Sequence, residues 1–207
     1  VGYVPEFFGK FKKQLFSTIQ FPVPNKYRML KGYTISDYQN YCLEKIEKRF
    51  SKNDDIAAFV MESGAQVAGG VIIYPKGFQK KISQLCKKYN ILFVLDEIAT
   101  GFGRLGSMVQ YEEEQSKPDI VAYGKMLTGG YMTMAATLAN KKIYNSFLGE
   151  FNEWKHLFHG HTYTGNPIAA AVAYENLKMY KKNNLIKKIK KTSKIFENFY
   201  DKISEID

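Results

Sequence analysis

Five apolar residues in a row, Ile91-Leu92-Phe93-Val94-Leu95, run straight into two acids, Asp96 and Glu97. A half-buried strand alternates apolar and polar side chains. This one is apolar on both faces, the pattern of a strand covered by helices on both sides of a parallel sheet. The stretch before it, Phe78 to Tyr89, places Phe78, Ile82, Leu85, Cys86 and Tyr89 at helical spacing, and Asn90 ends it. Ile56 to Met61 is a second continuous apolar run and predicts another buried strand. A glycine-bearing turn from Ser63 to Gly70 and a short β-branched run, Val71-Ile72-Ile73, follow it. Ile120 to Tyr123 and Thr133 to Ala139 predict further strands. Helices are predicted from Asp37 to Phe50, from Pro167 with Asn166 as its cap, and from Leu185 to Ile203. Residues 1–31 are aromatic, basic and punctuated by prolines, and predict an irregular surface segment. Strand and helix in alternation imply an α/β doubly wound sheet. Ligands of such sheets bind beyond the carboxyl ends of the strands. That points to Asp96, to Gly124-Lys125 and to the turn after Met61.

The chain has 207 residues, enough for one domain, with the start of a second expected after about residue 182. Its net charge of +10 raises the question of nucleic acid. Eight lysines fall between Lys178 and Lys194, interleaved with Leu185, Ile186 and Ile189 at helical spacing. That is a solvated helix face, so neither nucleic acid nor a membrane surface is expected as partner. No apolar run approaches the roughly 20 residues that span a bilayer. Val1-Gly2-Tyr3 has neither the basic nor the apolar region of a signal peptide and lacks an initiator Met, so a piece of a longer or processed chain is expected. Cys42 and Cys86 fit no metal-binding spacing and are expected to be buried, reduced thiols of a cytoplasmic protein.

Two acids at the end of a buried strand are costly to desolvate unless they meet cations or donors. They could cap a helix or pair with Arg104, or one could face a cationic ligand atom. Lys125 stands between a strand and the pair Gly129-Gly130. It could be a surface lysine; crowded and desolvated, its amine would instead be a nucleophile toward carbonyls. Together Asp96 and Lys125 suggest pyridoxal 5′-phosphate (PLP). That cofactor takes a lysine for its Schiff base and an acid opposite its pyridine nitrogen. His159 and His161 lack a nearby carboxylate or cysteine, so no metal is expected there. Gly160 and Thr162 instead offer backbone N–H groups and a hydroxyl just before a helix N-terminus, a site suited to a phosphate.

Leu95-Asp96-Glu97-Ile98-Ala99-Thr100-Gly101-Phe102-Gly103-Arg104, then Pro118-Asp119-Ile120 and Gly124-Lys125, resemble the class III pyridoxal-phosphate aminotransferases in order and spacing. The resemblance implies the large domain of a fold type I PLP-dependent transferase, present in part. Residues 1–182 would belong to that domain, and 183–207 would form a helix leading toward a C-terminal small domain. It implies Lys125 as Schiff-base lysine and proton shuttle, Asp96 on the pyridinium, Ile98 on a face of the ring and Gln66 at the ring hydroxyl. Glu62 would sit near the substrate, as a gate or an arginine partner. Gly160 and His161 would line the substrate region, and Thr162 would bind the phosphate of a neighbouring subunit, which implies a homodimer. The family's phosphate loop, its ring-stacking aromatic and its carboxylate-binding arginine have no counterpart in these 207 residues, and Ser63-Gly64 replaces a proline-containing turn. Leu127-Thr128-Gly129-Gly130-Tyr131, Ala135-Ala136-Thr137-Leu138 and His159 to Pro167 are most similar to the branch that aminates 8-amino-7-oxononanoate in biotin synthesis. Donors in that branch are S-adenosylmethionine or lysine. Another class III ω-amino-acid aminotransferase, of ornithine or 4-aminobutyrate type, and a catalytically incomplete fragment are the alternatives.

Overall fold

The computed structural model describes residues 8–52 and 55–205. The first seven residues of the expected irregular segment lie outside these. Its remainder holds one 3-10 turn, Gly9–Gln14, and is mostly exposed. Its end is not a surface segment: Pro24 is buried, and the Phe21 ring packs 6.3 Å from Phe50 and 5.9 Å from Phe59. Two apolar prolines and a phenylalanine find cover where a purely polar loop would not.

The regular elements follow the predicted alternation. Helix α1 spans Ile35–Phe50, two residues earlier than the apolar pattern predicts. Thr34 is the reason: its hydroxyl accepts the Asp37 N–H at 3.2 Å, and the Asp37 carboxylate accepts the Thr34 N–H at 3.2 Å, a reciprocal capping box. Strands β1 (Ala58–Glu62), β2 (Ala65–Gln66) and β3 (Ile72–Ile73) precede helix α2 (Phe78–Lys88) and strand β4 (Leu92–Asp96). Then come α3 (Gln110–Glu113), β5 (Ile120–Tyr123), β6 (Ala136–Ala139), α4 (Lys141–Ser146), α5 (Pro167–Lys182) and α6 (Leu185–Ser204). The four-stranded sheet has the order β1-β4-β5-β6, mainly parallel and flanked by helices. β1 and β4 are parallel, with Ala58 opposite Leu92 and Glu62 opposite Asp96. β1 lies at the sheet edge, so the predicted buried strand is buried only at Met61 and Glu62, and Val60 remains 48% exposed. The predicted turn from Ser63 to Gly70 is in part a small antiparallel ribbon, β2 against β3.

The chain forms two compact units, residues 1–96 with 111–121, and residues 97–110 with 122–207. In the first, the apolar face of α1 (Tyr38, Cys42, Ile46, Phe50) and that of α2 (Phe78, Ile82, Cys86) are buried, as are Phe93 and Leu95 of β4. Each large aliphatic or aromatic side chain so covered contributes about 1.5–3 kcal/mol. Asp119 clamps β4 twice: it donates its N–H to the Phe93 carbonyl at 2.8 Å, and its carboxylate accepts the Phe93 N–H at 2.9 Å. In the second unit Phe102, Tyr123 and Tyr180 form an aromatic core, with the Tyr180 hydroxyl donating to the Phe102 carbonyl at 2.9 Å. Asn166 caps α5 by accepting the N–H groups of Ile168 and Ala169, and Pro167 stands at the first turn, as predicted. α6 keeps its lysines exposed and lays Ile186 and Ile189 toward Gly103.

Candidate functional site

The candidate residues fall into three groups, each set up by its own stretch of chain. The first gathers at the carboxyl ends of β1 and β4. Neighbours in register on parallel strands project their side chains to the same face, so Glu62 and Asp96 share one. The Asp96 carbonyl accepts the Ser63 N–H at 3.0 Å, which holds the turn after β1 against the end of β4. Asp96 itself is half-buried. Glu62 is buried; its Oε2 accepts the Val67 N–H at 2.9 Å. Its Oε1 is enclosed and has no hydrogen-bond partner among the described residues, an acceptor left for a donor from outside them. Tyr74, also buried beside Glu62, has its phenol pushed up by desolvation first and by that carboxylate second. Gln66 ends β2, with its amide lying over the bare α-carbon of Gly69, where a β-carbon would stand 2.7 Å from its Cδ.

A residue outside the sequence prediction organises this group. Gln79 of α2 is fully buried; its Oε1 accepts the Gly64 N–H at 2.8 Å, and its Nε2 donates to Ser63 Oγ at 3.1 Å and Ser116 Oγ at 2.9 Å. The signal was present in the sequence. Gln79 lies at helical spacing from Ile82 and Cys86, a polar residue on an otherwise apolar face.

The second group follows β5. Gly124 leads into a single 3-10 turn, Lys125–Thr128, and Lys125 takes a positive φ of 44°. A β-carbon at Gly124 would lie 3.3 Å from Ile98 Cγ2, so Ile98 sits directly against the backbone that presents Lys125. Lys125 is exposed, which fits the surface reading rather than the crowded and desolvated one. It opens a one-turn element just past a strand end, where fewer neighbours surround a side chain than inside the strand.

The two adjacent acids differ in their surroundings. Glu97 is fully buried, donates its N–H to the Ala122 carbonyl at 2.9 Å, and accepts the Gln110 N–H on Oε2 at 2.9 Å, at the first residue of α3. Of the three readings given for Asp96-Glu97, the contact of Glu97 with the first N–H of α3 is nearest to helix capping.

The third group, Gly160, His161 and Thr162, lies in an exposed turn before α5. The His161 N–H donates to Thr164 Oγ1 at 2.9 Å, and the Tyr163 N–H donates to His161 Nδ1 at 3.1 Å. Among the described residues no cluster of three or more His, Cys, Asp or Glu could hold a metal ion. No helix among them is long and apolar enough to cross a membrane.

A carboxylate at one strand end and an exposed lysine after another, in the motif order given above, are the pattern of an aminotransferase of class III. Residues 5–207 match the family described as Aminotransferase class-III, and the chain belongs to it. Class III aminotransferases are PLP-dependent. The adenosylmethionine-8-amino-7-oxononanoate aminotransferase of Staphylococcus aureus is 44% identical over 199 residues, covering 95% of this chain and 44% of its own length. That of Aquifex aeolicus is 41% identical over 198 residues, again 95% and 44%. The crystal structure of the Methanocaldococcus jannaschii enzyme of that name superposes with a TM-score of 0.81 at 37% identity, over 98% of this chain and 44% of that one. The chain thus spans a little under half the length of these relatives.

Proposed function

We propose that this chain is part of the PLP-binding large domain of a transaminase that converts 8-amino-7-oxononanoate to 7,8-diaminononanoate in biotin synthesis, with S-adenosylmethionine or lysine as amino donor. One observation carries the reading: relatives bearing that enzyme's name match at 37–44% identity across nearly the whole chain. Residues 1–182 are read as large domain and 183–207 as the helix leading toward the small domain.

The residues present fit the cofactor. Lys125 supplies an exposed amine, Asp96 a half-buried carboxylate at a strand end, and Gln66 an amide at the adjoining ribbon. The Glu62 Oε1, buried without a hydrogen-bond partner among the described residues, supports a ligand or a cationic side chain at the same strand end. Lys125 Nζ would hold the cofactor covalently through its aldehyde. Asp96 would keep the ring nitrogen protonated, through a charge-assisted hydrogen bond of about 1.5–3 kcal/mol. Ile98 would pack on the ring and exclude water. Bound PLP supplies an electron sink for the charge left when the donor carbon loses its proton. Lys125 Nζ, freed by the incoming amine, would take that proton as general base and return it one position away. Gly160, His161 and Thr162 are read as the substrate and phosphate contacts offered to a second subunit. The exposed aromatic residues Phe151, Trp154 and Phe158, just before them in the chain, support a homodimer. Free, buried Cys42 and Cys86 support a reducing, cytoplasmic setting.

Borohydride reduction of the protein incubated with PLP should fix the label on Lys125, and Lys125→Ala should abolish it. Asp96→Asn should retain cofactor and lose most turnover. Label on another lysine, or near-normal turnover in Asp96→Asn, would overturn the site. Activity with an ω-amine donor but none on the oxononanoate would overturn the substrate.

A further inference from the structure

Lys125 is a non-glycine residue in the left-handed region, which persists only when its surroundings over-determine it. Local bonds account for part of that. Within the 3-10 turn the Leu127 N–H donates to the Gly124 carbonyl at 2.9 Å, and the Gly129 N–H to the Met126 carbonyl at 3.1 Å. The Thr128 hydroxyl donates to the Met132 carbonyl at 2.5 Å. The remaining restraint arrives from fifty residues away. Asn176 of α5 donates through Nδ2 to the Met126 carbonyl at 2.7 Å and to the Leu127 carbonyl at 3.1 Å. Its Oδ1 lies 3.1 Å from where a β-carbon of Gly129 would stand, so the carboxamide lies flat against the turn.

Asn176 is placed for this. Ala169, Ala173, Asn176 and Tyr180 follow one another at helical spacing, and the other three are buried. A polar side chain on that face needs partners, and its two amide hydrogens find the two carbonyls that follow Lys125.

We propose that Asn176 is a positioning residue for Lys125: its carboxamide fixes the turn that aims the amine, and thereby sets how readily the amine engages the cofactor. The proposal rests on the reading of Lys125 as the cofactor lysine.

The test compares Asn176→Ala with Ala173→Gly, which weakens the same helix while leaving the carboxamide in place. Without cofactor, amide hydrogen exchange at Leu127 and Gly129 should quicken about tenfold in Asn176→Ala, more than in an Ala173→Gly protein of equal thermal stability. With PLP bound, the pH midpoint of the cofactor's absorbance change should move by about half a unit or more in Asn176→Ala. Asn176→Ser, which keeps one donor, should fall between. Equal exchange and equal midpoints in the two variants would overturn the proposal. Borohydride label absent from Lys125 in the unaltered protein would instead overturn the cofactor reading, and the exchange result would still decide whether Asn176 holds the turn.

Discussion

Two turns carry candidate site residues, and they are held in opposite ways. The turn after β1, which presents Glu62 and Gln66, is bound to distant parts of its own unit: Gln79 reaches Gly64, Ser63 and Ser116, and the Ser63 N–H reaches Asp96. The turn before α5, which presents Gly160, His161 and Thr162, is exposed, and its hydrogen bonds span three residues or fewer. A buried, cross-linked turn cannot move without breaking a core. A local turn keeps its shape cheaply and leaves its side chains available to another surface. The first geometry suits contacts to a cofactor ring and substrate. The second suits the contact across a subunit boundary proposed for Thr162.

The contrast can be broken from its strongest side first. Gln79→Ala strips partners from a buried N–H and two hydroxyls and should cost about 2–3 kcal/mol in urea denaturation. A loss below about 0.5 kcal/mol would mean the turn after β1 is as locally held as the other.

The core behind that turn should also carry an alkaline signature. Burial raises the Cys42 thiol to about 11 and Cys86 to about 12, from a usual 9.0. Above pH 9 the unfolded chain gives up those protons before the folded one does. Stability present below pH 9 should therefore decline as pH climbs toward 12, by at most about 1.4 kcal/mol per pH unit for each thiol. Cys86→Ala should flatten the decline relative to the parent protein; an unchanged slope in denaturation midpoints would remove the thiol from the account.

The second turn should respond least. Asn166→Ala removes the α5 cap and should cost about 1 kcal/mol. Thr164→Val removes the bond to His161 and should cost under about 0.5 kcal/mol, as surface changes do. If Thr164→Val cost as much as Gln79→Ala, this turn would be held by more than its own residues.

Which parts of this were readable beforehand follows from how far each interaction reaches. Local periodicity is written in adjacent residues, so α1, α2, β4 and α6 were visible as runs of apolar spacing, and Asn166-Pro167 as a helix start. Asp96 was visible because a strand apolar on both faces ends there. Edge position was not: Val60 reads like a core residue and is half exposed because, among the described residues, β1 has a strand on one side only. The ribbon β2-β3 was hidden because strands of two residues have no period to detect.

By itself the sequence determined the α/β alternation, the motif carrying Asp96 and Lys125, and through them the family. Only the tertiary structure divided the labour between neighbours. Asp96 and Glu97 are alike and adjacent, but Asp96 ends β4 and is half-buried, whereas Glu97, just past the strand, is fully enclosed and accepts the Gln110 N–H. Likewise Lys125 announces itself by its flanking glycines, whereas its hold by Asn176 depends on a helix folding back over the turn. That contact spans fifty residues of chain, a distance no local pattern encodes.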